Sequence, residues 1–376
     1  MTSVASAADE RWMRLALGLA ARGLGNTWPN PSVGCVLVKD GAVVGRGWTQ
    51  PGGRPHAETQ ALAQAGEAAR GATAYVTLEP CSHHGRTPPC ADALIQAGIA
   101  RCVAALEDPD PKVNGQGFAK LREAGIDVAV GCLGDEAAEL QLGFLLHRSQ
   151  GRPMVSLKLA TSLDGRIATH GGQSKWITNP LSRQRGHLLR ARHDAIMVGS
   201  NTAIQDDPDL TCRLPGLPLR PAIRVVMDGR LRLPLTCKLV ATAKQTPTWI
   251  VTRADTDPLR AQAFADCGVE LLPVAAGEGG YPDIRRALEA LAERGITRLL
   301  VEGGGQLAAS LIRADLVDRL HWFRAPLAIG GDGLPGIAGF GVDTVAEASR
   351  WRRVGSDTLP DNDLGADLLE TFARPL

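Results

Sequence analysis

The sequence of 376 residues has almost no net charge, because 41 lysine and arginine residues face 40 aspartate and glutamate residues. A large nucleic-acid interface normally needs a basic excess, so this balance argues against a nucleic-acid partner. The N-terminal stretch carries acidic residues before its apolar part, which Arg14 and Arg22 interrupt. We therefore expect neither a signal peptide nor a membrane span there, and we predict a cytoplasmic enzyme.

Two further features are missing. Six of the cysteines stand singly, at positions 35, 102, 132, 212, 237 and 267, and nothing suggests secretion, so a disulfide framework is not expected. A formal G-x-G-x-x-G occurs at Gly331, Gly333 and Gly336. It lies too close to the C-terminus for the βαβ unit of a dinucleotide fingerprint, so we interpret it as a loop.

The most informative motifs are HAE, which begins at His56, and PCSHHGRTPPC, which ends at Cys90. They supply one imidazole and two thiols, from His56, Cys81 and Cys90, which are good ligands for a catalytic zinc with one open position. In zinc-dependent nucleobase deaminases a glutamate beside the histidine carries the proton, and Glu58 has that place. The pattern predicts hydrolytic removal of an amino group from a pyrimidine-like ring.

One alternative is a structural zinc site, which would normally have four protein ligands, with His83 or His84 as the fourth. Catalysis is favoured because a structural site gives no role to Glu58. The common deaminase signature has two residues between its cysteines, whereas eight separate Cys81 and Cys90 here. The intervening SHHGRTPP would then form a loop that could contact the substrate.

The first 150 residues predict a β-hairpin followed by βα units, in a three-layer α/β domain. In this arrangement all three zinc ligands lie at or near helix N-termini, which favours thiolates. A polar junction follows at His147–Pro153, and we place domains at residues 1–148 and 153–376. The second domain again predicts α/β structure with a mostly parallel sheet. Its segment Gly199–Arg213 is interpreted as a polar loop.

Several residues of the second domain leave two interpretations open. The VEGGG stretch runs from a predicted strand into a helix, so it is either a phosphate-binding turn or a tight turn without a ligand. Trp176 could pack or bind a ligand. Arg190 and Arg213 could hold a phosphate through two donors each, although alone each is more often a surface residue.

Taken together, the motifs resemble one family, the bifunctional riboflavin-biosynthesis enzymes that join diaminohydroxyphosphoribosylaminopyrimidine deaminase to 5-amino-6-(5-phosphoribosylamino)uracil reductase. The resemblance runs from about Trp12 to the C-terminus. Its carriers are PNPSVGCVLV, HAE, TLEPCSHHGRTPPC, EDPDPKVNGQG, KLATSLDGRIA, SKWIT, GSNTAIQDDPDLTCR and VEGGG. It implies a cytidine-deaminase-like α/β/α domain followed by a dihydrofolate-reductase-like α/β domain, which binds NADPH without G-x-G-x-x-G.

The resemblance also implies roles for individual residues. The implied zinc ligands are His56, Cys81 and Cys90, and the residue implied to transfer protons is Glu58. The implied deaminase substrate positions are Asn30, His83, Arg86 and Asp108. The implied reductase substrate positions are Ser174, Arg190, Leu210, Arg213 and Glu302, with Lys158 as a catalytic candidate near the reacting carbon. The implied NADPH positions are Ala160, Trp176, Thr202, Asp206, Gly229, Gly304, Gly305, Gln306, Leu307, Ala308, Ala309 and Ser310.

We therefore expect two reactions on a small-molecule phosphoribosylaminopyrimidine, a zinc-dependent deamination and then an NADPH-dependent reduction of the ribosyl group. One rival is a nucleic-acid or nucleoside deaminase fused to a non-catalytic nucleotide-binding domain, against which the near-zero net charge counts. Another is an inactive zinc module with a nucleotide-sensing domain, against which the intact Glu58 counts. A homo-oligomer is compatible with the sequence, and a membrane partner is not expected.

Overall fold

The computed structural model describes residues 6–83, 88–110, 114–217, 220–361 and 365–375. The chain divides into two compact units, residues 1–152 and 153–376. Among the helices that are described, none has both the length and the apolar character needed to cross a bilayer.

The first unit is an α/β structure of three layers. Its helices are α1 (Ala7–Ala20), α2 (Ala57–Ala65), α3 (Cys90–Gln96), α4 (Gln116–Glu123) and α5 (Gly134–Gln150), with 3-10 helices at Pro51–Gly53 and Gly66–Ala69. Its strands are β1 (Gly34–Lys39), β2 (Ala42–Trp48), β3 (Thr73–Val76), β4 (Arg101–Ala104) and β5 (Asp127–Val130). Within the described residues these strands form one sheet in the order β2-β1-β3-β4-β5.

Local sequence explains how this sheet begins. Asp40 and Gly41 both have positive φ, 50° and 75°, as a tight two-residue hairpin turn requires, and they join the antiparallel strands β1 and β2. Strands β3, β4 and β5 are parallel. Helix α1 packs on one face, and α2, α3 and α4 pack on the other. The predicted hairpin and βα units are confirmed, and so is the three-layer fold.

Close approach of α2 to the sheet depends on glycine. A Cβ atom on Gly47 would lie 2.4 Å from the carbonyl oxygen of Ala57, the first residue of α2. Only the absence of a side chain allows this separation. The start of α2, which carries His56 and Glu58, is thereby held against strand β2.

The second unit is also α/β. Its helices are α6 (Pro180–Ala191), α7 (Ser200–Asp206), α8 (Lys238–Ala241), α9 (Pro258–Asp266), α10 (Ile284–Glu293) and α11 (Gly305–Arg313), with a 3-10 helix at Glu278–Gly280. Its strands are β6 (Met154–Thr161), β7 (Arg166–Ala168), β8 (Ala195–Gly199), β9 (Ile223–Met227), β10 (Thr248–Arg253), β11 (Glu270–Val274), β12 (Arg298–Glu302), β13 (Arg319–Arg324), β14 (Leu334–Pro335), β15 (Arg352–Leu359) and β16 (Asp367–Ala373).

The main sheet of this unit has the order β11-β10-β9-β8-β12-β6-β13-β16-β15 across the described residues. Its strands are parallel from β11 to β13, and β16 and β15 are antiparallel additions. The prediction of a mostly parallel sheet is therefore confirmed. Strands β7 and β14 form a separate small ladder.

Two segments differ from the sequence interpretation. The predicted loop Gly199–Arg213 contains helix α7, because the chain turns directly from β8 into a helical turn that buries Ala203. Helix α5 was not predicted, and it occupies the first four residues of the predicted junction at His147–Pro153. It buries a mixed set of side chains, including Gln141, which hides its apolar face from a simple periodicity search.

Candidate functional site

The first unit brings three predicted ligands together. His56 occupies the N-cap position of α2, Cys90 is the first residue of α3, and Cys81 follows strand β3. The Nδ1 atom of His56 lies 3.2 Å from Cys90 Sγ and 3.7 Å from Cys81 Sγ, and all three ligand atoms lie within 4.8 Å of one another. The backbone N–H of Cys90 donates to Cys81 Sγ at 3.3 Å, so the start of α3 also orients the other thiol.

This donor set fits zinc. With zinc–ligand bonds of about 2.0–2.3 Å, the ligand atoms of a tetrahedral site lie about 3.5–3.8 Å apart. The distances from His56 Nδ1 to the two sulfur atoms, 3.2 and 3.7 Å, are close to that range. Among the described residues no fourth His, Cys, Asp or Glu joins the cluster, and His83 is exposed. His84, the other predicted fourth ligand, lies outside the described residues. Three protein ligands are the pattern of a catalytic zinc.

The thiol of Cys90 also forms a hydrogen bond with the sulfur of Cys81. The hydrogen bond with Cys90 lowers the pKa of Cys81 to about 4. The same bond, followed by burial, raises the pKa of Cys90 far above its usual value. One thiolate is therefore present at neutral pH, and a divalent cation would take the place of the proton in this hydrogen bond.

Glu58 lies in the first turn of α2 and is only 3% exposed. Burial, followed by the negative charge of Cys81, raises its pKa to about 7. A carboxyl group with such a pKa can accept and return a proton near neutral pH. The geometry thus sets a carboxyl group that could carry a proton beside the three predicted metal ligands.

Three of the predicted deaminase substrate residues, Asn30, His83 and Asp108, each lie on a different loop. Asn30 precedes β1, and its amide nitrogen would lie 2.0 Å from a Cβ atom on Gly53, so Gly53 makes room for it. Asp108 follows β4 and is buried, which raises its pKa to about 6. His83 is exposed, and Arg86 lies outside the described residues.

Sequence reasoning missed Glu79, which is 4% exposed and lies two residues before Cys81. Its carboxylate accepts four backbone N–H groups, from Asp108 (3.2 Å), Gly115 (2.9 Å), Gly117 (2.8 Å) and Phe118 (3.3 Å). Glu79 therefore fixes the loop that carries Asp108. The only signal in the sequence is a glutamate in an otherwise apolar strand end, which does not name its partners.

The second unit brings Lys158, Arg190 and Glu302 together. Lys158 and Glu302 are directly opposed on strands β6 and β12. Arg190 of α6 donates from Nε and Nη2 to the two carboxylate oxygens of Glu302, at 2.6 and 2.9 Å. Burial lowers the pKa of Lys158, and Arg190 adds to that effect while Glu302 opposes it. Burial alone would raise the pKa of Glu302, but Arg190 and Lys158 bring it below its usual value.

This pairing changes the interpretation of Arg190. The sequence suggested that Arg190 holds a phosphate through two donors, but Glu302 already occupies that pair of donors. A third donor, Nη1, bonds the carbonyl oxygen of Thr211 at 2.9 Å. Arg190 therefore positions Glu302 and the predicted substrate segment. Arg213 differs, because its side chain is 60% exposed and contacts Asp209 at 3.2 Å.

The remaining predicted substrate residues lie near this segment or on a separate loop. Leu210 is buried and has a positive φ of 51°. The backbone N–H of Arg213 donates to Nδ1 of His187 at 3.3 Å, so α6 holds the segment at a second point. Ser174 is half-buried in the loop that precedes α6.

The predicted NADPH residues lie mainly at one edge of the sheet. Ala160 is near the end of β6, Thr202 follows β8, Gly229 follows β9, and Gly304 follows β12. These strands are adjacent and parallel, and ligands of open α/β sheets bind at their carboxyl ends. A Cβ atom on Gly304 would lie 3.4 Å from Thr202 Oγ1, so these two elements touch.

The glycine turn has the conformation that its sequence suggested. Gly303 and Gly304 have φ of 86° and 91°, a region that favours glycine, and helix α11 starts at Gly305. Of the predicted stretch, Leu307, Ala308 and Ala309 have buried side chains, Gln306 is exposed and Ser310 is half-buried.

Two further predicted NADPH residues, Trp176 and Asp206, are exposed like Gln306. Trp176 is 64% exposed and stacks against Arg183, whose Cζ lies 4.5 Å from the ring centre. Asp206 is the last residue of α7.

Comparisons with known proteins agree with this geometry. A family model described as the RibD C-terminal domain matches residues 153–360, and one described as the cytidine and deoxycytidylate deaminase zinc-binding region matches residues 6–106. The riboflavin biosynthesis protein RibD of Aquifex aeolicus is 43% identical over 366 residues, which cover 97% of this chain and 98% of that protein.

Solved structures are similar over almost the whole chain. A crystal form of Acinetobacter baumannii RibD has 38% identity and a TM-score of 0.87, and the match covers 98% of this chain and 99% of that one. A Thermotoga maritima diaminohydroxyphosphoribosylaminopyrimidine deaminase/5-amino-6-(5-phosphoribosylamino)uracil reductase has 34% identity and a TM-score of 0.84, with the same coverage. With a cytidine-deaminase-like first unit and a dihydrofolate-reductase-like second unit, the chain belongs to the family of the riboflavin biosynthesis protein RibD.

Proposed function

We propose that separate sets of residues carry out the two activities of this family, deamination in residues 1–148 and reduction in residues 153–376. The chain is a bifunctional deaminase and reductase of riboflavin biosynthesis that uses zinc and NADPH. The first reaction deaminates 2,5-diamino-6-(5-phosphoribosylamino)pyrimidin-4(3H)-one. The second reduces the ribosyl group and yields 5-amino-6-(5-phosphoribitylamino)uracil.

In the first unit, His56, Cys81 and Cys90 would hold zinc. The metal would supply a water whose pKa is lowered to about 7. Glu58 would carry one proton of that water to the ring nitrogen and the other to the departing amino group. Net hydrolysis at C2 replaces the C2–N bond with a C2–O bond and releases ammonia. The observation that carries this assignment is the convergence of three ligands beside a buried carboxyl group with a pKa of about 7.

Asn30, His83, Arg86 and Asp108 are proposed to contact the pyrimidine substrate. Asp108 is supported by its burial and by the four backbone bonds through which Glu79 fixes its loop. Asn30 is supported by its close packing against Gly53. These assignments extend the zinc site into a pocket for a polar ring.

In the second unit, Lys158, Arg190 and Glu302 are proposed to lie at the reacting ribosyl group. NADPH would supply a hydride for C1′ of the sugar, while the bond between C1′ and the ring oxygen breaks and that oxygen takes up a proton, which leaves an open ribityl chain. Lys158 is the candidate for orienting or protonating the sugar oxygen, because burial lowers its pKa and eases loss of its proton. Ser174, Leu210 and Arg213 complete the proposed substrate site, with Arg213 as the phosphate contact.

NADPH is proposed to lie along the carboxyl edge of strands β9, β8, β12 and β6. Its proposed contacts are Ala160, Trp176, Thr202, Asp206, Gly229 and residues 304–310. The positive φ of Gly304 and the start of α11 support a phosphate at this turn, because helix N-termini favour anions. A cytoplasmic location and a homo-oligomeric state stay predictions of the sequence.

A paired assay tests the assignment. The full chain is given the phosphoribosylated diaminopyrimidine with and without NADPH, and ammonia release and loss of NADPH absorbance are followed. Glu58→Gln should retain zinc and reduce ammonia release by about 10²–10⁴-fold, because the amide cannot carry the proton. It should still reduce the deaminated substrate at the wild-type rate. Wild-type ammonia release by Glu58→Gln, or loss of its zinc, would contradict the role given to this residue.

A further inference from the structure

A glycine-rich segment, residues 327–338, follows strand β13, and we call it the clasp segment. One side of it is tied to the loop between β6 and β7. The Leu163 N–H donates to the Leu327 carbonyl at 2.7 Å, and the Gly336 N–H donates to the Gly165 carbonyl at 2.9 Å. Strand β14, which lies inside the clasp segment, pairs with β7.

Asp164 fastens this contact. Its Oδ1 accepts the Ile329 N–H at 3.1 Å, and its Oδ2 accepts the Gly330 N–H at 2.7 Å. Its Oδ1 also accepts the Ser162 hydroxyl at 2.6 Å. The bond from Ser162, followed by those from Ile329 and Gly330, holds the pKa of Asp164 below its usual range, so the acceptor is charged at neutral pH.

The other side of the clasp segment contacts the start of α11. The Ala338 N–H donates to the Gly305 carbonyl at 3.0 Å. A Cβ atom on Gly305 would lie only 2.7 Å from the Pro335 carbonyl oxygen, so the two backbones are in direct contact. One stretch of chain therefore touches both the loop after β6 and the glycine turn after β12.

We propose that the clasp segment holds these two elements at a fixed spacing around NADPH, and that Asp164 is a positioning residue for the reduction. The inference rests on the proposed function, which places NADPH between Ala160 at the end of β6 and residues 304–310. When the clasp segment loses its bonds to Asp164, only a fraction of the molecules has the conformation that binds NADPH. The apparent Kd then rises by the inverse of that fraction.

The clasp segment also explains the G-x-G-x-x-G pattern that carries no dinucleotide fingerprint. A Cβ atom on Gly333 would lie 2.9 Å from the Ala168 carbonyl oxygen of β7 and 2.7 Å from the Ile329 side chain. A Cβ atom on Gly331 would meet nothing within 4 Å. Glycine at 333 is thus needed for the contact between the clasp segment and β7, and glycine at 331 is not.

The first test is Asp164→Asn in the zinc-loaded full chain. The amide nitrogen of asparagine cannot accept a hydrogen bond, so one of the two bonds from the Ile329 and Gly330 N–H groups is lost. The Kd of NADPH, measured by fluorescence titration, should therefore rise roughly three- to tenfold, and so should the KM for NADPH. At saturating NADPH kcat should stay near the wild-type value, and ammonia release should not change. In the absence of NADPH, backbone hydrogen exchange in the clasp segment should be faster in Asp164→Asn than in the wild type. The control is Glu289→Gln, which removes a solvent-accessible carboxylate paired with Arg286 on α10 and should leave NADPH binding unchanged.

The second test compares Gly333→Ala with Gly331→Ala. Both replace a clasp glycine with alanine, but only the first pushes the segment off β7. Gly333→Ala should weaken NADPH binding, whereas Gly331→Ala should match the wild type. The proposed role of the clasp segment is overturned if the wild type, Asp164→Asn and Gly333→Ala all have the same Kd for NADPH. An equal loss in both glycine variants also overturns it.

A failure of the proposed function would be visible separately. If the wild-type chain does not bind NADPH in the titration, the proposed cofactor site is wrong, and the clasp segment then has no cofactor to position. If the wild type binds NADPH and the variants behave like it, the site stands and only the clasp is wrong. A fall in kcat with unchanged KM would assign Asp164 to chemistry instead of positioning, and it too would overturn the inference.

Discussion

Arg190 and Arg213 should respond differently to substitution, although the sequence pattern suggested a phosphate contact for both. Arg190 and Glu302 form a two-bond pair at 2.6 and 2.9 Å whose side chains are 16% and 13% exposed. Removing one partner of a buried pair leaves the other charge uncompensated, which typically costs about 3–5 kcal/mol. Arg190→Ala should therefore lower the free energy of unfolding by about this amount, although Lys158 beside Glu302 offsets part of the loss.

Arg213 has no such buried partner, because its side chain is 60% exposed. A charge-assisted hydrogen bond contributes about 1.5–3 kcal/mol, so Arg213→Ala should reduce affinity for a phosphorylated substrate roughly 10–150-fold. The dephosphorylated substrate should be affected little. Arg213→Lys should recover only part of the loss, since lysine cannot present two parallel donors.

The assay measures kcat/KM of the reductase for phosphorylated and dephosphorylated substrate, together with urea unfolding of the full chain. Arg190→Ala should lower kcat/KM for both substrates, whereas Arg213→Ala should narrow the difference between them. Adding Glu302→Gln to Arg190→Ala removes the stranded charge and should restore part of the stability. The reasoning is refuted if Arg190→Ala unfolds like the wild type and selectively impairs the phosphorylated substrate.

Three further predictions concern the first unit. Cys90→Ser should lose zinc and ammonia release but retain reduction of the deaminated substrate, and metal analysis with both assays checks this; loss of both activities would contradict separate sites. Gly53→Ala should raise the deaminase KM because the added Cβ displaces Asn30, whereas Gly52→Ala, also at positive φ but in open space, should not. Equal KM values for these two variants would contradict a substrate contact of Asn30. Glu79→Gln should raise the deaminase KM and retain zinc, because the amide can accept fewer backbone N–H groups than the carboxylate. An unchanged KM would show that the loop that carries Asp108 keeps its shape without the negative charge.

The sequence alone determined the elements that local rules specify. Apolar runs of strand length predicted β1, β3 and β4, and Asp40-Gly41 predicted the hairpin turn. The ligand types and the starts of α2 and α3 predicted a three-ligand zinc site beside Glu58. Such features depend on residues within a few positions of one another, so they can be recognised before the chain is folded.

Other strands and helices were not recognisable in this way. Strand β15 has seven exposed residues out of eight and carries no apolar alternation, so only its pairing with β16 makes it a strand. Helix α5 buries Gln141, whose amide donates to the Ser32 carbonyl at 2.6 Å, 109 positions away. The energy that orders these elements comes from distant parts of the chain.

The tertiary structure also decided the partners of the charged side chains. Arg190 and Glu302 are separated by 112 positions, and Glu79 bonds amides 29 to 39 positions further on. A guanidinium or carboxylate has the same chemistry wherever it stands in the sequence. Whether it binds a substrate phosphate or a buried partner depends on which group of opposite charge the fold brings within hydrogen-bonding distance, and the sequence alone does not specify that distance.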